Sequence, residues 1–209
     1  MTEMEITSVL RQARAHYKGG YKSSNKVYAQ NNTPKERARN NIVDDPNPIG
    51  HDILALRRSL RPYGLNMEQK GEHYLTSGIT YGNCGEMAAV ALRLCRLRFG
   101  PRIPVFTAEL RPPGDHIFLV LSVNGRRPSS MAINVYQLSR EDPANFWVID
   151  CWSNVACSVR DYPHRLRTKF KKWATDGKEI VDMEGEGVDP SNPRIVHHFL
   201  GSPIEWKRR

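Results

Sequence analysis

Three residues of this sequence have side chains that could together carry out covalent chemistry: Cys84 in GITYGNCGEMAAVA, His116 in GDHIFLVL and Asp150 in WVIDCWSN. A thiolate is a nucleophile, an imidazole can take its proton and return it to a leaving group, and a carboxylate can hold the imidazole in one tautomer and stabilise its cation. Together they suggest acyl transfer at an amide. Each alone has a plainer reading: a small core residue, a strand-edge histidine, a strand-end cap. The joint reading rests on their order and on what surrounds each one.

Asn83 is a good N-cap and Glu86 stands three residues later, the spacing of a capping box, which places Cys84 at the first position of a helix. The positive end of the helix dipole there favours an anion, and the first-turn amides, that of Cys84 among them, can donate to an oxyanion. Gly82 and Gly85 carry no side chain and leave room for a substrate backbone. His116 opens an apolar strand directly after the turn Pro112-Pro113-Gly114-Asp115, so its ring is expected at a sheet edge within reach of that helix start. Asp115 reads as a turn residue. Asp150 closes a strand between Trp147-Val148-Ile149 and Trp152, and a carboxylate buried there needs a partner such as an imidazole. Trp152, two residues on, is expected to share the face of Asp150 and shield that contact from water.

The elements that must position these groups follow from apolar spacing. Ile6, Val9, Leu10, Ala13 and Tyr17 recur as in an amphipathic helix that Gly19-Gly20 ends. Residues 19–50 are poor in core formers and read as an irregular connection with one short helix at 33–41. Helices are expected at 51–60 and 66–75, and the run from Met87 to Leu97, apolar on nearly every face, predicts a buried helix that Gly100-Pro101 stops. Cys95 in that run reads as core. The period then changes, and 103–110, 116–123, 131–136 and 146–152 predict strands of an antiparallel sheet, giving an α+β fold. A basic helix at 162–175, a Gly- and Asp-rich loop at 182–193 and a short strand or ordered end at 194–200 complete the chain. The expected organisation is an N-terminal helix and irregular segment over 1–50, then a catalytic domain over 51–209 with its core at 78–153 and the basic helix and tail at 158–209.

The 209 residues carry 31 Lys and Arg against 22 Asp and Glu, a formal charge of +9 that suits acidic partners. The sharpest patch is at 160–172, where Arg160, Arg165, Arg167, Lys169, Lys171 and Lys172 alternate with Tyr162, Phe170 and Trp173. It reads as the solvated side of an amphipathic helix, as a targeting surface for an acidic partner, or, as a rival to catalysis, as a non-catalytic basic module that binds nucleic acid or anionic membrane, without specific nucleic-acid recognition. Four cysteines without C-x-x-C spacing argue against a disulfide framework or a zinc module. Cys151, Cys157, His164, His197 and His198 show no ligand spacing, so no metal and no cofactor is expected. Early acids and the lack of an apolar signal segment predict a chain made in the cytoplasm, and any export would need a route without a Sec-like signal.

In order and context Cys84, His116 and Asp150 resemble the papain-like and transglutaminase-like cysteine enzymes, whose nucleophile begins the central helix and whose His and Asp come from successive strands beside it. GNCGEMA followed by DHIFLV and VIDCW looks most like the bacterial effector and toxin branch, which includes protein deamidases, transglutaminases and thiol proteases that act inside host cells. Peptide N-glycanases share a similar Cys-Gly-Glu turn. The resemblance covers residues 78–153 and implies a papain-like core, a protein substrate, a thioester on Cys84 and export by a specialised secretion system. It favours glutamine deamidation or transglutamination, with proteolysis as the runner-up. Two departures stand out: the 34-residue step from His116 to Asp150, assigned to an insertion at 125–145, and the lack of a Gln just before Cys84. The second oxyanion donor therefore stays open among Asn83, Asn66, Gln69 and Tyr81.

Overall fold

The computed structural model describes residues 1–17, 26–28, 47–181 and 187–209. In chain order they form helix α1 (Glu3–His16), strand β1 (Lys26–Tyr28), helix α2 (Asn47–Leu60), a 3-10 turn (Arg61–Tyr63), helices α3 (Met67–Thr76) and α4 (Cys84–Phe99), and strands β2 (Val105–Leu110) and β3 (His116–Ser122). Then follow α5 (Val135–Leu138), β4 (Phe146–Asp150), β5 (Val155–Ser158), α6 (Tyr162–Thr175), β6 (Lys178–Val181), β7 (Gly187–Val188), α7 (Pro193–Gly201) and β8 (Ile204–Arg208). The expected helix at 33–41 lies outside the described residues.

The fold is α+β. Its main sheet has the order β5-β4-β3-β2-β8 and is antiparallel throughout, a four-strand meander extended beyond β2 by the tail strand. A smaller sheet joins β1, β6 and β7. β3 lies in the middle of the main sheet, so His116 is at the end of a central strand and not at a sheet edge as its flanking turn suggested.

Helix α4 packs against α3, α1, β3 and β4, while α1 also covers β4 and β5. Met87, Ala88, Ala89, Val90, Ala91, Leu92 and Cys95 of α4 are all buried, the all-round pattern of a core helix. Its small side chains let α3 come close: a Cβ on Gly71 would stand 2.1 Å from the Ala89 carbonyl oxygen, so this approach requires glycine. Ile6, Val9, Leu10 and Ala13 of α1 share one apolar cluster with Leu92, Leu119 and Val148. α1 thus packs into the same core as α4 and the main sheet, and each of these larger side chains contributes about 1.5–3 kcal/mol by leaving water.

Two expected strands do not form: 131–134 is irregular and leads into a helix, and 194–200 lies in one. At 131–136, Asn134 caps α5 by accepting from the Gln137 amide at 3.0 Å, and Val135 and Leu138 bury one helical face. At 194–200, the Asn192 side chain accepts from the Arg194 amide at 2.9 Å and Pro193 opens α7, a start signal that outweighs the β-branched Ile195-Val196 pair. No helix among the described residues is long and apolar enough to cross a membrane.

Candidate active site

Cys84 is the first residue of α4 and is half-buried. The capping box that the sequence suggested is present: the Asn83 amide donates to Glu86 Oε2 at 3.0 Å. Glu86 is itself buried and also accepts from Arg57 Nε at 2.7 Å and Nη2 at 2.9 Å, so one carboxylate both caps α4 and ties it to α2. This bidentate bond and the opposite charge raise the Arg57 pKa. Of the two glycines beside Cys84, Gly82 gives its space to Glu86, whose Cβ would lie 2.5 Å from a Cβ there. A Cβ on Gly85 would meet only Ile117 at 3.8 Å, an ordinary contact that leaves the approach to the thiol unobstructed on that side.

The topology brings the other two residues to the same end of the sheet. The antiparallel pairing of β3 with β4 sets the start of one strand beside the end of the other, and His116 Nε2 meets Asp150 Oδ2 at 3.0 Å with both side chains buried. The Cys84 side chain is near enough to the His116 ring to favour its charged form, and with Nε2 engaged by Asp150, Nδ1 is the ring nitrogen left to exchange a proton with it. Burial works against the imidazolium. The Asp150 carboxylate and the Cys84 side chain outweigh it and hold the His116 pKa above its ordinary value. Burial likewise opposes the Asp150 carboxylate, yet His116 and Ser153 keep its pKa below the usual range.

Asp150 has more partners than its sequence context indicated. The Ser153 amide donates to Oδ1 at 3.0 Å, while the Ser153 hydroxyl and the Tyr162 hydroxyl donate to Oδ2 at 2.5 and 2.8 Å. Arg14 of α1 donates to the Cys151 carbonyl at 2.6 Å, and its partly buried guanidinium feels the Asp150 charge. Trp152 lies in the turn after β4, outside the strand proper, but it covers the imidazole as expected, with ring centroids 5.0 Å apart. Phe199 of α7 is 5.4 Å from His116 and stacks on Trp152 at 5.6 Å. Asp115, exposed, takes up a left-handed φ of 28° just before His116.

Ser153, Tyr162, Arg14 and Phe199 are the site residues that the sequence did not reveal. Ser153 had a local signal, an Asp followed three residues later by Ser in a tight turn. Tyr162, Arg14 and Phe199 arrive from distant elements and carry no local mark. Of the other candidates for an oxyanion donor, Asn66 and Gln69 cap α3 reciprocally, each amide donating to the other's side chain at 2.9 Å. Cys95, Cys151 and Cys157 are buried. Among the described residues no group of three His, Cys, Asp or Glu is placed to hold a metal ion.

Comparison with family models, curated proteins and solved structures finds no match to this chain. What the site can do follows from its own geometry. A thiol at a helix start, an imidazole held to it by a buried carboxylate, and first-turn amides form the set that acyl transfer requires.

Proposed function

We propose that this protein is a cysteine-dependent acyl-transfer enzyme acting on amides of a protein substrate, with a papain-like or transglutaminase-like core. The observation that carries the reading is the buried His116–Asp150 pair, joined at 3.0 Å, with the Cys84 side chain at the start of α4 near enough to the imidazole to favour its charge. The position of that helix beside the antiparallel strands that supply His116 and Asp150 supports the same reading.

In the reaction, His116 takes the Cys84 proton and the thiolate attacks the carboxamide carbon. Amides of the first turn of α4 hold the oxyanion, and ammonia leaves with the proton from His116. Asp150 keeps the imidazole in its tautomer and stabilises the cation. The acyl group is then a thioester on Cys84. Water, deprotonated by His116, attacks this carbonyl; the C–S bond breaks and a side-chain carboxylic acid forms. A lysine amine in place of water gives an isopeptide crosslink, and attack on a backbone amide makes the same steps proteolysis.

The motif resemblance favours glutamine deamidation or transglutamination in a bacterial effector or toxin delivered into host cells, and a thiol protease is the alternative. Incubating the protein with glutamine-containing substrate proteins separates these by mass. Deamidation adds about 1 Da at a Gln, transglutamination gives a crosslinked species, and proteolysis gives two fragments. Cys84→Ala and His116→Ala should each abolish the product. Full turnover by either variant contradicts the proposal.

A further inference from the structure

The basic stretch that stood out in the sequence divides once α6 is folded. Tyr162, Phe170 and Trp173 are buried in the core and cannot stack on a ligand. Arg165 pairs with Glu3 at 2.6 Å and Lys172 with Asp176 at 3.2 Å. Arg167 and Lys171 go elsewhere. Four residues apart on one helical face, they line a cavity of about 370 Å³ whose other walls include Tyr136, Ser191, Val196 and His197.

The charge of this open cavity is one-sided. None of the residues that line it carries a carboxylate, and among the described residues neither Arg167 nor Lys171 has an ion-pair partner. The Arg167 guanidinium lies over the Tyr136 ring, 5.3 Å from its centroid, and donates to the Tyr136 hydroxyl at 3.1 Å. Its planar fork is therefore held in place with further donors to offer. Pro193, also in the lining, opens α7, whose first amide is capped by Asn192. The Ser191 hydroxyl is given to Asp189 Oδ1 at 2.8 Å and the Arg194 amide to Asn192 at 2.9 Å, so the groups left for an anion are two permanent cations and an imidazole, which match a dianion better than a single carboxylate. Tyr136, Pro193 and Val196 add an apolar wall, and the volume is in the range of small-molecule sites.

We infer that this cavity binds a small organic phosphate: a phosphomonoester whose head group meets Arg167, Lys171 and His197 and whose organic part lies against Tyr136 and Val196. It is separate from the cysteine site and does not depend on the acyl-transfer reading.

Calorimetric titration of the full chain with phenyl phosphate, at constant chloride, should give saturable one-to-one binding, tighter than that of inorganic phosphate because only the ester uses the apolar wall. Arg167→Gln and Lys171→Gln should each weaken it about tenfold or more, the loss of a charge-assisted hydrogen bond. Lys172→Gln, whose side chain pairs with Asp176 outside the cavity, should bind like the parent. Lys171 is exposed, so its variant keeps the test open if Arg167→Gln, which releases Tyr136, fails to fold. Absence of saturable binding, equal affinity in parent and Lys171→Gln, equal affinity for ester and inorganic phosphate, or retention only on vesicles of anionic lipid each overturns the assignment. Cys84→Ala protein should bind phenyl phosphate as the parent does.

Discussion

Cys84 begins helix α4 and Cys95 lies about three turns further along it, and the two thiols meet opposite surroundings. Cys95 is enclosed by the core, and burial, reinforced by nearby Cys151, pushes its pKa well above the ordinary value. Cys157, in β5, is pushed up to about 12 by the same cause. Cys84 is half-buried, stands at the first position of α4 and lies near a histidine whose charge Asp150 sustains. One helix thus sets one cysteine in the closed core and another beside a buried imidazole–carboxylate pair. Position along the helix and the strands at its end make the difference, not the residue type.

The largest effects should come from exchanging the two thiols for alanine. Cys84→Ala is expected to lower turnover by a factor of about a thousand or more while leaving the melting temperature near that of the parent. Cys95→Ala should do the reverse, keeping turnover while opening a small cavity that costs about 1–2 kcal/mol, read by denaturant unfolding. Similar behaviour of the two variants in both assays would remove the contrast.

Next in size is Asp150. Asp150→Ala leaves His116 and two hydroxyls without their buried acceptor and should cost about 3–5 kcal/mol. Asp150→Asn keeps the shape and should retain most of the fold while losing most of the turnover, because the amide cannot sustain the imidazolium. A variant that lost stability and kept turnover would make Asp150 a structural residue only.

Smaller effects concern its supporting partners and pH. Tyr162→Phe removes one hydrogen bond to the carboxylate and should cost about 1–2 kcal/mol. The Asp150 pKa lies below its ordinary 3.8, so its stabilising contribution is complete above that value and is lost as pH falls through the lowered pKa. The His116 pKa is raised above 6.5, so its contribution is complete below 6.5 and is lost only as pH rises through the raised value. Melting temperature should therefore hold through mildly acidic and neutral pH and drop at both extremes. In Tyr162→Phe the acid-side drop should begin at higher pH, since the carboxylate has lost a donor.

Much of this arrangement could be read in advance, because its signals are local. The box of Asn83 and Glu86 marks the start of α4, and the apolar period marks α4 and α6. The strand-start His116 and strand-end Asp150 stand at the ends of clear β-rich runs. What escaped depends on distant partners or on competing local signals. β8 is half-exposed and polar in every other position, and it becomes a strand because β2 offers an edge. Val135 has β propensity, but Asn134 caps a helix there. Tyr162, Phe199 and Arg14 join the site only because α6, α7 and α1 close over it, which no spacing within their own segments encodes.

The most direct test is the rate at which each cysteine of the native protein reacts with iodoacetamide at neutral pH, followed residue by residue by mass spectrometry, in the parent and in His116→Ala. The arrangement predicts that Cys84 is alkylated far ahead of Cys95, Cys151 and Cys157, and that this lead collapses in His116→Ala while the three slow rates stay as they were. Equal rates at all four cysteines, or a Cys84 rate indifferent to His116, would contradict it.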